Sequence, residues 1–153
     1  MNKEVINFYS TKDAYGCFSN FARYPFELDG KKWLTTEHYF QAQKFPDNRD
    51  YQERIRSEKS PMVAARMGRS RLHVLRRDWE EVKDELMKKA VLAKFSQHDE
   101  LRKILLSTGD ALLVEHTSKD SYWGDGGDGS GKNKLGQILM EVREIFAKQL
   151  SEV

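Results

Sequence analysis

The chain has 153 residues, of which 39% are hydrophobic, 33% charged and 11% aromatic; one soluble globular domain over 1–153, burying roughly two thirds of its unfolded surface, is expected. Its 26 bases against 24 acids leave a formal charge of +2, too slight a bias to mark a dedicated nucleic-acid or membrane-surface protein. A single cysteine, Cys17, excludes an internal disulfide framework and a Cys-rich zinc site and suits a reducing compartment.

The first ten residues, MNKEVINFYS, lack the apolar stretch of a secretory signal, and no run approaches the roughly 20 apolar residues of a membrane span. A cytoplasmic protein that does not enter a membrane, a monomer or a weak homo-oligomer, is therefore expected. Val5-Ile6-Asn7-Phe8-Tyr9 has strand patterning. So do Tyr24-Pro25-Phe26-Glu27-Leu28 and Lys32-Trp33-Leu34, and Asp29-Gly30 between them is a hairpin signal because glycine accepts the positive φ of the turn. Thr35 or Thr36 can cap a helix running through Phe45, where Pro46 stops it. A charged helix covers about 49–58, and Ser60-Pro61 opens another through Arg66 that Gly68 weakens. Asp78-Trp79-Glu80-Glu81 resembles a capping box and begins a long amphipathic helix with Trp79, Val82, Leu86, Ala90 and Ala93 at helical spacing. A further helix starts near Asp99 and ends at Gly109, and a short buried strand is read near 111–115. A glycine-rich loop follows, then a last helix with Leu135, Ile138, Leu139, Val142, Ile145 and Phe146 on one face. The fold class is α+β, mostly α, with one small antiparallel sheet formed by the N-terminal strands, the hairpin and the strand near 111–115.

Three segments stand out chemically. Tyr122 to Lys134 holds five glycines in eight positions (124–131) and runs directly into a helix. Many unhindered N–H groups beside a positive helix end suit an anion such as phosphate. Gly126 to Gly131-Lys132 matches the start of a P-loop, but Asn133 stands where a magnesium-binding hydroxyl is needed and 118–122 is no buried strand, which disfavours one; the acids do not follow EF-hand spacing. A plain flexible loop accounts poorly for the interleaved Trp123, Asp125 and Asp128.

In the helix Thr36–Phe45, Glu37, Gln41 and Lys44 fall on one face, with Phe40 alongside. Glu37 lies in the first turn, where an ionised carboxylate is favoured; an ordinary solvated polar stripe is the competing interpretation. Phe18-Ser19-Asn20-Phe21 mixes small polar groups with rings, as either a turn or a sugar-binding element would. His38, His73, His98 and His116 have no metal-ligand spacing, and Cys17 has no evident base beside it. The arginines 66, 69, 71, 76 and 77 are followed by Glu80, Glu81 and Asp84, so phosphate contact and surface ion pairing both fit.

Taken together, Ile6-Asn7-Phe8-Tyr9-Ser10, Phe18-Ser19-Asn20-Phe21, Thr36 to Phe45, Ser60-Pro61-Met62 to Gly68-Arg69, and Tyr122-Trp123-Gly124-Asp125-Gly126 resemble, in order, the YbiA-like, or NADAR, family. The likeness runs from about Ile6 to Leu150. It implies an N-glycosidase that cleaves the bond between ribose C1′ and an exocyclic amino nitrogen. The substrate implied is a ribosylamino-pyrimidine phosphate of early riboflavin biosynthesis, giving ribose 5-phosphate and the aminopyrimidine. Removal of ADP-ribose from guanine in nucleic acid is the alternative, and a non-catalytic module binding ADP-ribose or an NAD-like ligand a further one.

By the same resemblance, Glu37 and Asp125 would be the carboxylates flanking an oxocarbenium-like centre. Lys44 would either pair with an anionic group or capture C1′ as a Schiff base. Trp123, with Phe18 or Tyr39, would stack on the pyrimidine, Asn20 would bind ribose hydroxyls, and Ser19 and Gln41 would be further substrate-binding residues. Gly124, Gly126, Lys132 and Arg69 would hold the phosphate. No metal or redox cofactor is implied.

Overall fold

The computed structural model describes residues 3–152; residues 1, 2 and 153 of the expected domain lie outside the described residues. Among the described residues six α-helices and four short strands form a mostly helical α+β protein. No helix is long and apolar enough to cross a membrane. The chain divides into two compact units, one built from the residues up to Ser19 with those from Phe95 onward, the other from Asn20–Lys94.

The Asn20–Lys94 unit begins with the hairpin β2 (Phe26–Leu28) and β3 (Lys31–Trp33), paired antiparallel with Phe26 opposite Trp33. Asp29 and Gly30 both have positive φ, 55° and 77°, the primed turn that matches strand twist. Helix α1 (Thr36–Ala42) is capped by Thr35, whose hydroxyl accepts from the His38 N–H. It ends earlier than its pattern predicts. Pro46 disfavours α geometry at Phe45, and the chain tightens into Lys44 N–H to Gln41 O and Phe45 N–H to Ala42 O bonds.

Helix α2 (Arg49–Arg56) is capped by Asn48 and helix α3 (Pro61–Gly68) by Ser60, with Pro61 at the first position, where no N–H is needed. Gly68 is the last helical residue of α3 rather than a residue beyond its end. Most of helix α4 (Trp79–Gln97) completes the unit. Phe26, Trp33, Tyr39, Phe45, Tyr51 and Ile55 dominate its core.

In the other unit β1 (Val5–Phe8) pairs with β4 (Leu112–Glu115) in parallel, Ile6 opposite Leu113. The expected single antiparallel sheet is therefore corrected to two separate two-stranded sheets, one of them parallel. Hairpin logic governs only strands joined by a tight turn. Strands separated by most of the chain pair in whichever direction a long connection returns them. Helix α5 (Asp99–Ser107) packs on helix α6 (Lys134–Ser151), and α6 packs on β4. Leu105, Leu113, Leu135, Leu139 and Val142 are fully buried there.

Candidate active site

The start of α1 is held from outside the helix. The Glu37 N–H donates to the Asn20 carbonyl at 3.2 Å, and the Thr36 hydroxyl donates to the Asn20 Oδ1 at 2.8 Å. Asn20 is thereby engaged in orienting the turn that carries Glu37. His38, fully buried, donates from Nε2 to the Glu58 carbonyl at 2.7 Å and has Nδ1 2.7 Å from the Thr35 hydroxyl. Burial lowers its pKa, so it is a neutral strut.

The Glu37–Gln41–Lys44 row runs along α1 and past its end. Gln41 Nε2 donates to Glu37 Oε1 at 2.7 Å, and Lys44 Nζ donates to the Gly68 carbonyl at 3.3 Å. The Trp79 and Phe40 rings lie 5.6 and 6.0 Å from Lys44 Nζ, and the two rings pack on each other with centroids 4.9 Å apart. Desolvation among these groups lowers the Lys44 pKa; Glu37 acts against it, while Arg69 and Lys83 add to it. The Glu37 carboxylate thus acts on a lysine, two residues past the end of α1, that is biased towards its neutral, nucleophilic form. Arg69, just past α3, is exposed.

The glycine-rich loop belongs to the other unit and is closed on itself. The N–H groups of Asp125, Gly126, Gly131, Lys132 and Asn133 donate to the carbonyls of Glu115, Asp120, Asp125, Ser121 and Gly124 at 2.7–3.1 Å. At the start of α6, the N–H groups of Lys134 and Leu135 are taken by the Tyr122 and Trp123 carbonyls. This corrects the expected anion cradle: much of the donor array and the helix end are used internally. The glycines serve close approach. A Cβ on Gly124 would lie 2.7 Å from Thr117 Cγ2, and one on Gly131 would lie 2.6 Å from the Gly124 carbonyl oxygen.

Asp125 organises this loop. It is buried; its Oδ1 accepts from the Thr117 and Gly127 N–H groups at 3.0 and 2.8 Å, and its Oδ2 faces His116 Nδ1 at 2.8 Å. The His116 bond, with those two N–H groups, lowers its pKa against the opposing effect of desolvation. A carboxylate with this many internal partners fits a positioning post better than one that waits for water.

The remaining expected residues are distributed as follows. Tyr39 is fully buried, edge-on to Trp33, with its hydroxyl donating to Asp29 Oδ2 at 2.8 Å. Phe18 is 1% exposed among Phe8, Tyr15 and Phe95. Neither ring has a face to offer a base, which corrects both as stacking residues; aromatic rings at this spacing were claimed by the core. Ser19 is buried. Trp123 is half-buried and meets Tyr122 edge-on. Exposed Lys132 places Nζ over the Tyr122 ring at 5.4 Å.

Sequence reasoning missed three contributors. Trp79 was readable only as part of a helix stripe. Gly68 carried a signal, a glycine inside a helical pattern. His116 had none, since its partner lies nine residues away across a loop. Among the described residues no group of three His, Cys, Asp or Glu side chains is disposed to hold a metal.

Residues 7–147 match the NADAR domain family. The N-glycosidase YbiA of Escherichia coli (strain K12) is 62% identical over 147 residues, covering 96% of this chain and 91% of that protein. The chloroplastic riboflavin biosynthesis protein PYRR of Zea mays is 40% identical over 153 residues, covering 91% of this chain and 25% of that protein. The NMR structure of E. coli YbiA superposes with a TM-score of 0.92 at 60% identity, covering 100% of this chain and 90% of that one.

Proposed function

The chain belongs to the NADAR family and is an N-glycosyl hydrolase, and from that premise we propose that it hydrolyses ribosylamino-pyrimidine phosphates of early riboflavin biosynthesis, with Glu37 and Lys44 at the reacting carbon. The observation that carries this is a carboxylate held by Gln41 and close enough to a desolvated Lys44 to act on its charge. The name of the maize relative supports the substrate class.

A ribosylamine whose sugar ring opens exposes C1′ as an imine carbon. Lys44 Nζ, neutral, adds to C1′ and forms a C–N bond. The C1′ bond to the pyrimidine nitrogen breaks, and that nitrogen takes up both protons of the Lys44 amine and leaves as a free amine, with Lys44 now the imine. Water then adds to the lysine imine, releasing ribose 5-phosphate and restoring Lys44, so one water is consumed per turnover. Glu37 stabilises positive charge at C1′ and orients the water.

The test is turnover of the freshly generated intermediate in the presence of borohydride. A reduced pentose phosphate adduct on Lys44, found by mass spectrometry, is expected. Turnover with no adduct would replace the imine by direct water attack beside Glu37. Decay of the intermediate at its spontaneous rate would overturn the substrate assignment. Removal of ADP-ribose from guanine draws separate support from exposed Arg66, Arg69, Arg71 and Arg77, and release of ADP-ribose from modified nucleic acid measures it directly.

A further inference from the structure

We infer that Gly68, at the end of α3, is a positioning residue that sets both the carboxylate and the amine of the active site: its missing side chain seats Gln41 against Glu37, and its carbonyl holds Lys44. This rests on the assignment of Glu37 and Lys44 above.

Space is the first observation. A Cβ on residue 68 would lie 1.8 Å from Gln41 Oε1, 2.6 Å from its Cδ and 3.0 Å from its Cβ. No positive φ explains a glycine there, and a glycine inside a helix costs stability relative to alanine. Room for the glutamine amide is what the position provides.

The amide itself has one polar tether. Gln41 is 5% exposed, its Nε2 donates to Glu37, and its Oε1 is buried without a hydrogen-bond partner. The amide orientation is fixed because a carboxylate only accepts, so the NH₂ group must face Glu37. With no bond on the Oε1 side, packing against Gly68 is what keeps the amide from retreating.

Nor can the α3 end give way easily. The Met67 carbonyl accepts from the Tyr51 hydroxyl at 2.6 Å, and the Arg69 N–H bonds back to the Ala65 and Arg66 carbonyls. The same short segment presents the Gly68 carbonyl to Lys44 Nζ. A side chain at 68 would therefore push Gln41 off Glu37 and disturb the lysine's acceptor together. A displacement of about 1 Å in a reacting group can cost roughly 10²-fold in rate.

The experiment is a double-mutant cycle of Gly68→Ala and Gln41→Ala, measured as kcat, KM and the pH profile, with substrate-free labelling of Lys44 by an amine-selective reagent followed by mass spectrometry. Gly68→Ala is expected to lower kcat roughly 10²-fold, with KM nearly unchanged and the Lys44 labelling profile displaced in pH. In the Gln41→Ala background, where the space is free, adding Gly68→Ala should change kcat by less than about 2-fold. Wild-type kcat in Gly68→Ala, or an equal loss in both backgrounds, would overturn the inference. If Gly68→Ala does not fold, a folded double mutant with the kcat of Gln41→Ala supports it, and an unfolded double mutant overturns it. Absence of turnover by the wild type would sink the substrate assignment alone, since the labelling profile still reports whether residue 68 governs Lys44.

Discussion

Asp125 Oδ2 and His116 Nδ1 lie 2.8 Å apart, the carboxylate buried and the imidazole half exposed to solvent. The other Asp125 oxygen accepts two backbone N–H groups from either side of it in the chain, those of Thr117 and Gly127. One side chain thus ties the end of β4 to the glycine-rich loop.

Removal of that tie should destabilise the protein more than removal of its histidine. Asp125→Ala strands two N–H groups, each costing about 1–3 kcal/mol when buried without a partner. Asp125→Asn keeps an acceptor and should cost less; His116→Ala, at a solvent-facing site, least. Thermal unfolding of the three variants gives the order. Because the folded Asp125 pKa is lowered, chiefly by His116, its contribution is present above the unfolded carboxylate pKa, about 3.9. It is lost as pH falls through the lower folded value. The difference between wild type and Asp125→Asn should shrink in acid, and a constant difference would refute the linkage.

Glu37→Gln should reduce kcat by two decades or more, within roughly 10²–10⁴ for a positioned carboxylate, with the fold intact because Glu37 is only partly buried. It also removes the group that raises the Lys44 pKa. The pH at which neutral amine accumulates should therefore move down even as the rate falls. A rate loss without that downward movement would separate Glu37 from Lys44.

The opposite movement is expected of Arg69→Ala. Arg69 adds to the lowering of the Lys44 pKa that desolvation begins, so its loss should move the alkaline rise in activity to higher pH. Arg69 is exposed, and salt screens exposed charges over about 10 Å at 0.1 M. The gap between wild type and variant should therefore narrow in high salt, as pH–rate profiles at two ionic strengths would show.

What was legible in the sequence is what local chemistry dictates. Thr35 and Ser60 cap their helices, Asp29-Gly30 makes the turn, and the 3.6-residue period sets Gln41 one turn from Glu37, whereas Lys44 falls two residues past the helix end. The parallel pairing of β1 with β4 was not legible, because no local rule states the direction in which a distant strand returns. Nor was the use of the loop's donors. Glycine content shows that N–H groups are accessible, but whether an anion or the chain's own carbonyls reach them depends on contacts such as Lys134 to Tyr122. Tyr39 and Phe18 illustrate a related limit: a ring suited to a base is equally suited to a core, and both are buried.

The loop's glycines should separate into two kinds on replacement by alanine. Gly129 has φ +86° and open space around its missing Cβ, so Gly129→Ala costs only left-handed strain, roughly 1–2 kcal/mol. Gly131 has no such φ, but a Cβ there would lie 2.5 Å from the Asp125 carbonyl carbon and 2.8 Å from the Gly126 nitrogen. Backbone atoms held by the Gly131 N–H to Asp125 O bond at 2.7 Å cannot step aside as a flexible side chain would. Gly131→Ala should then cost about 3 kcal/mol or more, while a loop used mainly for flexibility would tolerate both changes alike. At about 2–4 °C of Tm per kcal/mol for a chain of this size, calorimetry should separate the two variants clearly. Equal Tm values would mean that the loop opens to admit the new methyl group, and that its internal hydrogen bonds do not define its resting shape.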